Sequence, residues 1–208
     1  MPTKGERTRA DIISRSAELL NRQGFLATPV SDVIEATGIQ KGGLYRHFES
    51  REALAIAALD YAVAGVRDRL LHATASRDNA CDKLLAILDA YSGDGLNVPM
   101  AGGCPIMNTA IETDHAHPRL RKQAQRAMSE WHGLVTRIVE AGLRSGEIRQ
   151  GVIAKHIATS FIACIEGGVM LTQLYGDPSY LNASRQHLAD YVERELRNGK
   201  IVRGGVRA

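Results

Sequence analysis

Apolar residues recur along this chain at spacings of three and four, the period of a helix with one buried face. Ile13, Ala17 and Leu20 form one stripe, Val30, Val33, Ile34 and Thr37 a second, and Ile56, Leu59, Val63, Val66 and Leu70 a third. Leu120, Ala124, Ala127, Trp131, Leu134 and Ile138 predict a long helix, and Ala158, Phe161, Ile162, Ile165 and Val169 predict another. No segment alternates apolar and polar residues convincingly. The pattern therefore predicts an all-α fold of about nine helices without internal repeats.

Glycines, prolines and hydroxyl residues fall where these stripes stop. Gly24 ends the first helix. Thr28 followed by Pro29 predicts an N-cap and then a proline at the first helical position, where the missing N–H is harmless. Gly38 closes the second helix after Thr37, and Ser50 can cap a helix opening at Arg51. The densest loop is 92–103, SGDGLNVPMAGG, and later breaks fall at 114–118, 145–151 and 176–179. Residues 199–208 offer little to bury and read as a frayed basic tail.

Composition adds the setting. With 208 residues, 44% hydrophobic and 24% charged, the chain is globular in character, and its 5% aromatics leave Ala, Leu, Ile and Val to build the core. The longest apolar run, 161–171, is broken by Glu166 and is shorter than the roughly 20 residues that span a bilayer. The N-terminal residues carry charges where a signal peptide needs an apolar stretch. Cys81, Cys104 and Cys164 are odd in number and lack CxxC spacing, so free thiols in a cytoplasmic protein without a membrane segment are expected. The net charge of +3 matters through its distribution. Residues 194–208 carry five basic residues against Glu195 alone, and residues 1–51 carry eight against six. Charge alone does not identify a nucleic-acid binder, and the motifs decide.

Two short helices, 30–37 and 41–48, separated by a glycine turn and preceded by a longer one, make a helix-turn-helix arrangement. Such a second helix buries one face on its partner while the other enters a major groove. Leu44 and Phe48, four apart, supply the buried face. Gln40, Lys41, Gly43, Tyr45, Arg46 and His47 are left for DNA. Lys41 and Arg51 can neutralise phosphates, Tyr45 and His47 can donate to phosphate oxygens, and the Gly42–Gly43 pair permits close backbone approach. Thr28, at the entry to the second helix, completes the candidate DNA-contact set. With Arg46 added, two subunits would neutralise about six phosphates.

At 24–54, GFLATPVSDVIEATGIQKGGLYRHFESREAL, the sequence resembles the TetR family of bacterial transcriptional regulators. The resemblance lies in the glycine-aromatic pair, the capped second helix, the lysine-glycine, leucine-tyrosine and histidine-phenylalanine pairs, and the basic-acidic start of the fourth helix. Thr37, Gln40 and Gly43 depart from the family's usual residues, which bears on the operator sequence. The resemblance implies a head at 1–51, a ligand-binding and dimerisation domain at 52–198, and the tail at 199–208. It also implies a homodimer on a palindromic double-stranded operator, released by a small-molecule inducer. Ala154, Ala158, Gly167 and Gly168 would allow close helix approach at the dimer interface, and Leu188, Tyr191, Val192 and Leu196 would add an apolar stripe.

Candidate ligand-lining residues are Cys104, Met107, Ile111, Trp131, Val135, Glu166 and Met170. Glu166 lies amid apolar neighbours in FIACIEGGVML, so it must be paired, protonated or facing a cavity. Cys104 opens the sixth helix, where a thiol can react as thiolate or simply pack as a small hydrophobe. A rival reading makes the protein a helical metal-dependent enzyme using Glu112, Asp114, His115 and His117. Its second E-x-x-H is absent, and no phosphate-binding loop, dinucleotide fingerprint or G-x-S-x-G occurs. The expectation is a non-enzyme without cofactor or metal.

Overall fold

The computed structural model describes residues 1–92, 100–113 and 117–199. Nine α-helices form among them: α1 Lys4–Gln23, α2 Val30–Thr37, α3 Lys41–His47, α4 Arg51–Ala75, α5 Ala80–Asp89, α6 Pro105–Thr113, α7 Pro118–Ser145, α8 Ala154–Tyr175 and α9 Ser179–Tyr191. One π-helical turn, Val192–Leu196, continues α9. The described residues form no strand, only an isolated bridge between Ile148 and Arg197.

Local chemistry starts and stops these helices. At α1 the Thr3 hydroxyl accepts from the Glu6 N–H while the Glu6 carboxylate accepts from the Thr3 N–H, a reciprocal capping box. Ser50 Oγ accepts from Ala53 N to cap α4, as the sequence predicts, and Asn79 Oδ1 accepts from Cys81 N and Asp82 N to cap α5. Gly38 takes the left-handed conformation, φ 69°, that closes α2 and turns the chain into α3. The start of α2 differs from expectation. Pro29 occupies the cap position and no side chain caps the helix. The Thr28 hydroxyl turns back to donate to Gly24 O at 2.6 Å.

Three apolar clusters order the molecule. Ile12, Ile13, Val33, Leu44, Phe48 and Leu54 hold the head. Ala17, Leu20, Phe25, Ala58, Leu59 and Leu120 join α1 and α4 to the start of α7. The largest cluster fills the body between the second half of α4 and helices α5 to α9. Helix α4 thus belongs to both parts, with Leu54 in the head core and Val66 and Leu70 in the body.

Helix α8 has 22 residues and a mean hydropathy of 1.5 over its most apolar window, so by length and composition it could cross a membrane. Half of that window is buried inside the protein, where Ala158, Phe161, Ile165 and Val169 belong to the core. The broken run in the sequence understated this helix because Glu166 lies on its buried side.

One expectation about the end of the chain changes. Leu188, Val192 and Leu196 are buried in the subunit's own core and are not a free stripe. Arg197 and Asn198, just before the expected tail, are anchored. Arg197 pairs with Asp82 at 2.7 Å and Glu193 at 2.6 Å, and Asn198 N donates to Glu147 O at 2.8 Å. Residues 200–208 of the expected tail lie outside the described residues, as do 93–99 of the long loop.

Candidate DNA-binding head and ligand site

The face of α3 follows from two buried anchors one turn apart. Leu44 and Phe48 are each 3% exposed, and Arg9 lies over the Phe48 ring at 5.0 Å from its centroid. With that face fixed, Gln40, Lys41, Gly42, Tyr45 and Arg46 are exposed and His47 is half-buried. The side chain of Gln40 makes no cap hydrogen bond, so its amide is free to meet a base edge. Gly42 has open space where a side chain would be. At Gly43 a Cβ would come within 2.8 Å of Ile39 Cγ1, so this glycine serves the packing of the turn before any approach to DNA.

Two members of the expected contact set are committed elsewhere. Thr28 is 1% exposed and spends its hydroxyl on Gly24. Arg51 donates to Leu26 O, tying the start of α4 to the loop between α1 and α2. The sequence places Thr28 in the DNA-contact set and Arg51 on a phosphate, and the fold uses both to brace that loop.

A carboxylate from the body braces the same loop. Glu112, near the end of α6, accepts from the backbone N–H of Phe25 at 2.7 Å, Leu26 at 2.8 Å and Ala27 at 3.0 Å. One turn earlier, Asn108 Nδ2 donates to Asn21 O at 3.2 Å and to Asn21 Oδ1 at 3.1 Å. The same amide donates to Gly102 O at 2.9 Å. Asn21, 3% exposed, donates in turn to Ala101 O and Gly103 O. No spacing signal marked these residues as a set. Glu112 drew attention only as a metal ligand, and its carboxylate is occupied by backbone donors. Of the rest of that cluster, Asp114 and His115 lie outside the described residues.

Inside the body, Glu166 is 7% exposed, and among the described residues no hydrogen bond reaches either carboxylate oxygen. Burial pushes its pKa up to about 7, with the neighbouring Cys104 thiol opposing the shift. The Cys104 thiol is fully buried, and burial beside Glu166 pushes it well above the usual thiol range. It is a packed thiol, not the activated thiolate a helix start can produce. Tyr91 Oη, Thr109 Oγ1 and Trp131 Nε1 are likewise buried without a partner among the described residues, and the Tyr91 and Trp131 rings stack at 6.1 Å. Buried polar atoms are mostly hydrogen-bonded, so these four side chains are exceptions within the core.

Trp131 also walls a cavity of about 240 Å³ between α4 and α7, with Val66, Leu70, Ile106 and Leu134. A wider groove of about 950 Å³ runs along α7 past Ile106, Met128 and His132, with Arg121, Arg137 and Lys155 in its lining. Of the expected lining residues, Trp131 meets the cavity, Met107 is half-buried against the core, and Val135 is sealed inside it. Ile111 and Met170 do not line a cavity, being 70% and 45% exposed. Helix α6 turns Ile106, Thr109 and Thr113 inward, and α8 turns Ile165, Val169 and Thr172 inward, which leaves 111 and 170 outside. Ile106, in the walls of both spaces, was missed because nothing in the sequence separates it from other buried isoleucines.

A three-helix head with an exposed second-helix face, mounted on a larger helical body with unsatisfied polar groups inside, defines a helix-turn-helix transcriptional regulator. Residues 12–58 match the bacterial regulatory proteins of the tetR family, and residues 80–188 match the tetracyclin repressor-like C-terminal domain. The chain belongs to the TetR family of transcriptional regulators. It is 40% identical to a TetR regulator from Chloroflexus aurantiacus, with a TM-score of 0.89, covering 93% of this chain and 98% of that one. A TetR-family regulator from Cytophaga hutchinsonii is 32% identical, with a TM-score of 0.85 over 93% of this chain and 96% of that one. The regulator LmrA of Bacillus subtilis is 28% identical over 166 residues, 79% of this chain and 86% of that protein.

Proposed function

We propose that the protein is a cytoplasmic homodimeric repressor that binds a palindromic operator and is released by a small-molecule inducer. The observation that carries this reading is the α3 face. Gln40, Lys41, Tyr45 and Arg46 stand free on a helix whose other face is pinned by Leu44 and Phe48. Gly42 and His47 complete the contact set, whereas Thr28 and Arg51 act through the loop they brace. Lys41 and Arg46 from two subunits neutralise about four phosphates, fewer than the sequence alone implied.

Dimerisation is supported by an exposed apolar face at the end of α8. Met170, Leu174 and Tyr175 are exposed beside Gly167, and the Tyr175 ring stacks on exposed Tyr180 of α9 at 5.1 Å. Contiguous apolar surface of this kind marks a protein-protein contact. Gly168 takes no part in it, since it packs inward on α9.

The inducer is a small, largely apolar molecule that enters beside Trp131 and offers a hydrogen-bond donor to Glu166. Selecting bound sequences from a random DNA pool with purified protein tests the reading, with a palindrome whose half-sites lie about one helical turn apart expected. Ligand affinity measured with and without saturating operator must then differ by the factor by which ligand weakens DNA binding. Recovery of no preferred sequence would overturn the operator reading, and equal ligand affinities would overturn the inducer reading.

A further inference from the structure

Helix α6 is nine residues long and faces two ways. At its start Cys104 touches Glu166, and Ile106 walls the cavity beside Trp131. At its far end Glu112 holds three consecutive backbone N–H groups of the head, with Asn108 one turn behind holding the end of α1. The held segment leads straight into α2. Gly24 is shaped to the grip, because with φ +102° a Cβ there would stand 2.7 Å from Glu112 Oε1. The bonds link residues 85 to 87 positions apart, so they report the placement of body against head and not local folding of the loop.

We infer that Glu112 is a positioning residue for operator recognition: its carboxylate fixes the orientation of each head on its body. The physical basis is stiffness. A charge-assisted acceptor shared by three N–H donors is stronger and more directional than apolar contact, so the head cannot pivot at this loop without breaking it. A palindrome demands two heads at fixed separation, whereas a single half-site demands only one folded head. This inference rests on the dimeric DNA-binding reading above, and the experiment separates the two.

Affinities for a selected palindrome and for its isolated half-site are measured for the unmodified protein, Glu112→Ala, Glu112→Gln and the distant cap variant Asn79→Ala. Exchange of the backbone amides of residues 25–27 is followed in parallel. For Glu112→Ala, the preference for palindrome over half-site falls about tenfold, half-site affinity is retained, and the three amides exchange faster. Glu112→Gln gives a partial loss, since its amide carbonyl can still serve Leu26 and Ala27 while its NH2 opposes the Phe25 N–H. Asn79→Ala leaves the preference unchanged. An unchanged preference in Glu112→Ala, or parallel loss on both DNAs, overturns the inference. If the unmodified protein binds both DNAs alike, the dimeric reading fails instead. Amide exchange then judges the grip alone, and unchanged rates in Glu112→Ala overturn it.

Discussion

The head stands its chemistry in solvent on one short helix, whereas the body gathers Tyr91, Cys104, Trp131 and Glu166 from separate elements and seals them inside. The first arrangement suits a partner that is large, charged and always wet, for which exposed Lys41 and Arg46 need only reach phosphates. The second suits a small partner taken out of water, where an unpaired carboxylate discriminates strongly because leaving it unpaired is unfavourable. Substitutions should divide along the same line. Changes in the head should alter binding with little effect on the fold, and changes in the body should alter the fold first.

The sharpest division is between adjacent glycines. A Cβ at Gly168 would meet Ser184 Oγ at 2.8 Å and Leu181 Cα at 3.1 Å, whereas one at Gly167 would meet nothing within 4 Å. Gly168→Arg should destabilise the body by about 3 kcal/mol or more, seen as a lowered melting temperature. Gly167→Arg should melt normally and sediment as a weakened dimer. Equal melting temperatures for both would break the assignment of inner and outer faces.

Next comes pH. Glu166 has a folded-state pKa of about 7 against an ordinary value of 4.5, so the folded state binds the proton more tightly. Its contribution is fully present below pH 4.5, is lost as pH rises to about 7, and is flat above that. The loss amounts to about 3 kcal/mol. Denaturant titrations from pH 4.5 to 8 should show it, and Glu166→Gln should flatten the profile while weakening inducer binding. A profile identical in both proteins would remove Glu166 from the account.

In the head, four neutralised phosphates give a slope of about −3.6 for log operator affinity against log salt, and Lys41→Ala should halve it to about −1.8. Changing Gln40 or Arg46 should redistribute base preference instead. A slope near −5 would return Arg51 to the phosphate set. The smallest effect expected is Ser50→Ala, which removes the cap of α4 and about 1 kcal/mol of stability without altering base preference.

The same contrast explains what could be read from the chain. The helices were legible because each stripe and its stop signals are local, as with Leu44, Phe48 and Gly38. So was the free face of α3, the complement of two buried residues within a single helix. The brace on the α1–α2 loop was not, because Glu112 meets Phe25 across 87 positions and nothing in either segment names the other. Thr28 and Arg51 were misplaced for a different reason. Their partners, Gly24 and Leu26, are backbone carbonyls, which leave no mark in a sequence. Ile111 and Met170 failed through helical phase, where one step of 100° separates a lining residue from a surface one.

The long reach of these contacts bears on how the chain becomes a protein during synthesis. The helices of the head emerge first, yet the Glu112 bonds to their loop wait for another 85 to 87 residues. The body waits longer still, since Arg197 closes on Asp82 across 115 positions and on Asn79 across 118. The nascent chain therefore carries a nearly finished DNA-reading face on an open, unclosed bundle until its last turns leave the ribosome. On the proposed dimeric reading, paired recognition of an operator is the final property to appear, gained only after the bundle closes and a second finished copy is met.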